Sequence, residues 1–181
     1  MTDCISEVVS IVSIRELPLD YQDLPEVLQS IVTYWRALKG ERIGPTWREV
    51  DMLKLPAELL PTTVVVDCIT EDGSANYRYR FYGSGLRNVH HVELTGKTPD
   101  DLPVPELSRF IKEAFKRVQT TKQPVFSVYG SELADDFGDF LNVVRLPLSD
   151  HEGEVTKILA VIRYMKHDLA LNDMFAKLSV V

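Results

Sequence analysis

The apolar positions change period along the chain, and each change marks an element. Leu24, Val27, Leu28, Ile31, Trp35 and Leu38 fall three or four residues apart, the stripe of an amphipathic helix. Asp23 precedes Leu24-Pro25-Glu26 as a capping acceptor, Pro25 falls where no N–H is needed, and Gly40 follows Lys39 as a stop. The pattern predicts a helix over 24–39. From residue 62 the period drops to two. Thr62–Thr70 and Asn76–Tyr82 read as strands joined by a Glu71-Asp72-Gly73-Ser74 turn. Leu107, Phe110, Ile111, Ala114 and Val118 return to helical spacing and predict a helix over 105–121, with Arg109, Lys112, Lys116 and Arg117 outward. Strands follow at 124–133, 139–148 and 155–165, and 166–181 reads as a short helix. Residues 5–17 fit two periods: Ser6, Ser10 and Ser13 recur at helical spacing, while the β-branched content suits a strand. A helix is the expectation there.

Between the first helix and the first strand lies a connector, 41–61, holding Gly44-Pro45, Pro56 and Pro61, with Trp47 set to plug a gap. The chain thus divides into a helical extension and connector (1–60), a strand-rich domain (61–165) and a tail (166–181). Two strands, irregular pieces, one long helix and three strands describe an α+β domain on an antiparallel five-stranded sheet.

Composition narrows the class. At 181 residues with 45% hydrophobic and 26% charged, the chain can bury a core without disulfides. A net charge of −7 argues against unspecific binding to nucleic acid or anionic lipid, which needs clustered Lys and Arg. The two cysteines, Cys4 and Cys68, form no CxxC pair. No apolar run approaches the roughly 18 residues of a spanning helix, and Asp3 and Glu7 stand where a secretory signal carries positive charge. A cytoplasmic protein is expected.

Alternation assigns the sheet faces. One set holds Val64, Val66, Cys68, Tyr77, Tyr79, Phe81, Asn142, Val144, Leu146, Ile158, Ala160 and Ile162. It is expected to face helix 105–121. The other set holds Val65, Asp67, Ile69, Arg78, Arg80, Tyr82, Leu141, Val143, Arg145, Lys157, Leu159, Val161 and Arg163. It is too apolar for open water, so the N-terminal helix or a second subunit is expected to cover part of it. Asp67, Arg80 and Arg145 fall together there, as a charge cluster or as plain surface charge.

Several segments together resemble a known family. Tyr34-Trp35-Arg36 stands ahead of Gly40 and Pro45, and Leu59-Leu60-Pro61 precedes the first strand. Tyr79-Arg80-Phe81-Tyr82-Gly83-Ser84 is followed by Glu93-Leu94-Thr95-Gly96-Lys97, then by Pro124 and Leu146-Pro147-Leu148. In this order, over residues 23–165, they resemble the PAS domain, and in particular a bacterial family of mostly PAS-only proteins with an N-terminal helical extension. The resemblance implies a five-stranded sheet whose cleft serves small-molecule sensing or dimerisation. It supplies no catalytic set. No output pattern follows residue 165, so signalling through another chain is expected.

The remaining motifs are weighed against plainer readings. His90-His91 lacks a second ligand cluster, so surface or hydrogen-bonding roles outweigh a ligand contact, haem or metal. Gly83-Ser84-Gly85 lacks the third glycine of a dinucleotide loop, and Thr95-Gly96-Lys97-Thr98 lacks the upstream glycine of a phosphate loop, His91 standing there. Cys68 lies in a strand pattern, outside the Asn-Cys-Arg-type context of light-sensing relatives, and reads as core. Neither haem nor flavin is expected as a cofactor. The best pocket set is Tyr77, Tyr79 and Phe81 facing inward with Asn142 and Tyr129, with His91 and Arg80 at the rim. No nucleophile, base and orienter come together, so no enzyme is expected. Two functions remain: a homodimeric sensor of a small organic ligand, and a ligand-free interaction module that pairs through residues 5–39 and the outer sheet face. The second expects removal of residues 1–40 to leave 62–165 folded.

Overall fold

A computed structural model describes residues 11–17, 19–20, 24–71, 74–133, 136–150 and 152–164. Among the described residues nine regular elements follow one another: β1 (Ile11–Leu17), α1 (Glu26–Lys39), β2 (Thr63–Glu71), β3 (Ser74–Tyr82), α2 (Ser84–His90), α3 (Pro105–Thr121), β4 (Val125–Leu133), β5 (Asp136–Ser149) and β6 (Val155–Tyr164). Short 3₁₀ turns at Trp47–Glu49, Met52–Lys54, Leu60–Thr62 and Pro99–Asp101 fill the connectors. The fold is α+β on one antiparallel sheet.

Among the described residues that sheet has six strands rather than five, in the order β1-β4-β5-β6-β2-β3. The added strand corrects the helix expected over 5–17: Ile11–Leu17 pairs antiparallel with β4, Ile14 opposite Tyr129 and Leu17 opposite Phe126. The exposed edge of β4 gives a β-branched segment a ladder, which outweighs the weak serine periodicity. Residues 5–10, Asp23 and the tail 166–181 lie outside the described residues. The helix expected over 24–39 begins after Pro25, whose carbonyl accepts from the N–H groups of Leu28 and Gln29. Leu24 accepts instead from the Gln29 side chain at 2.6 Å.

Two cores lie on opposite sides of the sheet. Under α1, Leu28, Ile31, Val32 and Trp35 pack with Leu55 and Leu59 of the connector against Val65, Phe126, Val144, Leu146, Leu159 and Val161. The outer face is therefore covered by this chain's own helix, with Trp47 packed at its margin. On the other side Phe115 and Val118 of α3, with Leu86 and Leu94, cover Val64, Val66, Tyr77, Tyr79, Val143 and Ile158.

Coverage on both faces explains why alternation misplaced β5. Each parity of that strand is apolar, so period two cannot tell the faces apart. Leu141, Val143 and Arg145 face α3, whereas Asn142 shares its parity with Val144 and Leu146 on the α1 side. Phe81 needs a second correction. The β2–β3 register passes from Val65↔Phe81 to Val66↔Tyr79, so Arg80 is an extra residue in β3. The bulge inverts the alternation beyond it. Tyr82 is turned inward and buried, while Phe81 is 38% exposed.

The end of β5 outruns β4, whose register stops at Val125↔Arg145. The connector fills this gap. Ser149 donates its backbone N–H to Pro45 at 3.1 Å and its hydroxyl to Gly44 at 2.6 Å. Pro147 lies two residues earlier, so its missing N–H faces this margin rather than the β6 ladder. A Cβ on Gly44 would come within 2.1 Å of the Pro147 carbonyl oxygen, so only glycine permits the approach.

Candidate functional site

A cavity lies between the sheet and α3, and its walls follow from the elements just described. β3 supplies Tyr79 and Tyr82, and β4 supplies Tyr129. β5 supplies Leu141, Val143 and Arg145, and β6 supplies Ala160, Ile162 and Tyr164. Leu107, Ile111 and Phe115 of α3 form the lid. α2 closes one side with Leu86 and His90, which lie four residues apart and so share a helix face. About 70 Å³ is open to the centre of a water-sized sphere. One water needs roughly 10–15 Å³ by this measure, and about 150 Å³ accommodates benzene, so the space holds a few heavy atoms.

The aromatic wall is built by edge contacts. Tyr79 meets Tyr82 at 5.1 Å and Phe115 at 6.4 Å between ring centroids, both nearly perpendicular, the geometry ring quadrupoles favour. Tyr77 packs on Phe115 at 5.4 Å and donates its hydroxyl to Gln119 Oε1 at 3.0 Å. That bond pins α3 to the sheet beside the cavity.

Two polar groups interrupt the apolar lining. Tyr82 Oη is hydrogen-bonded to His90 Nδ1. Burial, assisted by the charge of neighbouring His91, pulls the His90 imidazole down to about 4, so it is neutral at pH 7. Burial likewise holds the phenols of Tyr79, Tyr82 and Tyr164 above their ordinary range, hence protonated. The second group is Arg145, only 3% exposed. Its Nη1 donates to Ser127 Oγ at 3.0 Å and its Nη2 to Tyr129 Oη at 2.7 Å. The guanidinium carbon lies 5.9 Å from the Tyr129 ring centre, within cation–π range.

The residues expected from the sequence are divided by this geometry. Tyr79 and Tyr129 line the cavity, and Tyr77 stands beside it. Phe81 points away beyond the β3 bulge, and Asn142 belongs to the opposite face. His91 is replaced by His90: the segment forms helix α2, which His91 leaves in the left-handed conformation (φ 54°) with its side chain exposed. The expected charge cluster also splits. Arg80 Nε reaches Asp67 Oδ1 at 2.8 Å and Lys157 Nζ reaches it at 3.3 Å, but Arg145 has crossed to the other face. Tyr82, His90, Arg145 and Tyr164 escaped sequence reasoning. Only an arginine amid apolar alternation hinted at one of them.

Other motifs find structural roles. Gly83 joins β3 to α2 in close contact with Pro61, and Thr95-Gly96 turns at φ +81° while Gly96 and Lys97 bond the backbone of Tyr79. Burial, chiefly, and the charge of Asp67 push the Cys68 thiol up to about 12, so it stays protonated at neutral pH. Among the described residues, no group of His, Cys, Asp and Glu could hold a metal ion, and no helix is long and apolar enough to cross a membrane.

A five-strand antiparallel core with one long helix closing a cavity on its face, extended by β1, defines a sheet-and-cleft fold. Residues 25–163 match the sequence model of the PAS domain, and the chain belongs to that family. No curated protein matches it. Among solved structures, it is similar to an RNA-binding light-oxygen-voltage receptor at 13% identity and TM-score 0.43, over 91% of this chain and 41% of that one. It is also similar to the aureochrome1 LOV blue-light photoreceptor at 15% identity and TM-score 0.41, over 66% and 93%. A PAS domain from Colwellia psychrerythraea aligns at 14% identity and TM-score 0.38, over 64% and 98%. Family membership makes this a sensory or signalling domain.

Proposed function

We propose that the protein is a non-enzymatic sensor that binds a small organic molecule between the sheet and α3 and relays its occupancy to a partner protein as a homodimer. One observation carries this reading: the wall of Tyr79, Tyr82 and Phe115 encloses a real cavity, with Tyr129 and Arg145 as convergent polar groups. The cavity fits an occupant much smaller than haem or a flavin. Occupancy would reach the rest of the molecule through α2 and α3, which supply the helical walls of the cavity. Native mass spectrometry of freshly purified protein tests it, together with thermal denaturation across a panel of small metabolites. A ligand at 100 times its Kd stabilises by about 2.7 kcal/mol. A protein that retains nothing and shows no thermal shift across the panel is not a sensor of this kind.

A second reading, a ligand-free pairing module, is favoured by β1. It pairs with β4 on one side only and ends the sheet, so a second strand can add there. The outer sheet face is not available for this, because α1 occupies it. Light scattering of wild type and of a variant with proline at Arg15 separates the readings. Loss of a dimer with the ligand-induced shift retained assigns β1 to assembly alone.

A further inference from the structure

Arg145 is a buried cation on a cavity wall whose other members are neutral. Among the described residues no carboxylate pairs with it. Its guanidinium has five N–H donors, and its partners are two hydroxyls, Ser127 Oγ and Tyr129 Oη. Nε is sealed from solvent with no hydrogen-bond partner, the one side-chain atom so placed among the described residues. Hydroxyls satisfy donors but do not cancel charge, and an unpaired buried charge is costly enough that natural interiors pair it. The rest of the wall offers no counter-ion: it holds no carboxylate, burial keeps the phenols of Tyr79, Tyr82 and Tyr164 protonated, and the His90 imidazole is uncharged at pH 7.

We propose that the cavity takes a small monocarboxylate, its carboxylate completing the Arg145 guanidinium and its short apolar body lying among Leu107, Ile111 and Ala160. The inference rests on the sensing reading and adds the chemical class of ligand. A single cation calls for a single negative charge. The planar guanidinium fork matches a carboxylate, and about 70 Å³ admits only a short body. The apolar remainder disfavours a polyhydroxylated or doubly charged acid, whose extra polar groups would find no partners. Ser127 and Tyr129 act as positioning residues, holding the guanidinium in one orientation before the ligand arrives.

The test uses the full chain at pH 7 and constant ionic strength. It is titrated with acetate, propionate and butyrate, each beside its uncharged primary amide, and followed by amide NMR shifts and thermal denaturation. At least one acid is expected to bind about tenfold or more tighter than its amide. Arg145→Met is expected to abolish that preference, so that acid and amide bind alike. Equal binding of acid and amide by wild type overturns the carboxylate inference and leaves the sensing reading standing. If no member of any pair binds, the carboxylate inference falls, and the sensing reading is decided by native mass spectrometry and the metabolite panel. The wild-type ratio needs no variant, so the outcome stands even where Arg145→Met fails to fold. Tyr129→Phe supplies the second variant: it keeps the charge and the ring, and is expected to reduce the preference without removing it. An acid preference that survives Arg145→Met in folded protein places the site elsewhere and also overturns the inference.

Discussion

The indole N–H of Trp35 donates to the carbonyl oxygen of Pro147 at 2.9 Å, joining α1 to β5 across 112 residues of chain. Trp35 is 3% exposed, so water cannot replace it. Trp35→Phe keeps one aromatic ring, orphans the carbonyl and leaves a small void where the second ring stood. A loss of about 1–3 kcal/mol in urea unfolding is expected. A change below a few tenths would show that the bond contributes nothing net.

Gly83 and Gly96 are required for different reasons, and alanine separates them. At Gly83 the backbone is ordinary (φ −59°), but a Cβ would lie 2.2 Å from the Pro61 carbonyl oxygen. Backbone cannot step aside as a side chain can, so Gly83→Ala is expected to cost about 3 kcal/mol or more and to disturb α2. Gly96 has open space around it but φ +81°. Gly96→Ala is expected to cost only about 1–2 kcal/mol. Equal melting temperatures for the two variants would contradict this ordering.

His90 links stability to pH. The unfolded imidazole titrates near 6.5, whereas the folded one is held at about 4. The folded value is depressed, so its contribution is full above pH 6.5 and is lost as pH falls toward 4. Unfolding takes up a proton throughout that window. At about 1.36 kcal/mol per unit, the loss approaches ~3 kcal/mol. Carboxylates also titrate at the lower end, so the observable is wild type minus His90→Asn. That difference is expected to shrink as pH drops from 7 to 4, and a flat difference would refute the assignment.

Removing residues 1–40 strips α1 from the sheet. Val65, Val144, Leu146, Leu159 and Val161 would then face water, an apolar patch no soluble monomer leaves open. The truncated chain is expected to aggregate or to bind a hydrophobic dye strongly. A soluble, cooperatively folding fragment of 62–165 would mean that α1 is an accessory rather than part of the core.

These outcomes bear on how far the fold could be read from the sequence. Helix 105–121 was legible to the residue because Leu107, Ala114 and Val118 face one buried surface while Arg109, Lys116 and Arg117 face water. The β2–β3 hairpin and the β4–β6 meander were legible for the same reason at period two. The cavity was legible only in part. Tyr79 and Tyr129 lie where their strands' alternation places them. Tyr82 does not, because one inserted residue at Arg80 inverts the pattern, and nothing local announces a bulge. Arg145 was assigned outward because alternation placed all of β5 the wrong way round: with both of its parities apolar, period two cannot say which face turns to α3. β1 was misread because its strand conformation depends on a β4 edge more than 100 residues away in sequence, so its β-branched content alone could not decide between strand and helix.

The two ends of the sheet are not equivalent. On the β3 margin, Tyr79 spends both backbone groups on the Gly96-Lys97 turn, at 2.9 and 2.7 Å, and the N–H of Tyr77 is taken at 2.8 Å by the side chain of Asn76. The β1 margin carries no such closure among the described residues. If two copies pair β1 to β1 about a two-fold axis, as the second reading has it, the margins left outward are those of β3, part of whose backbone is already spent.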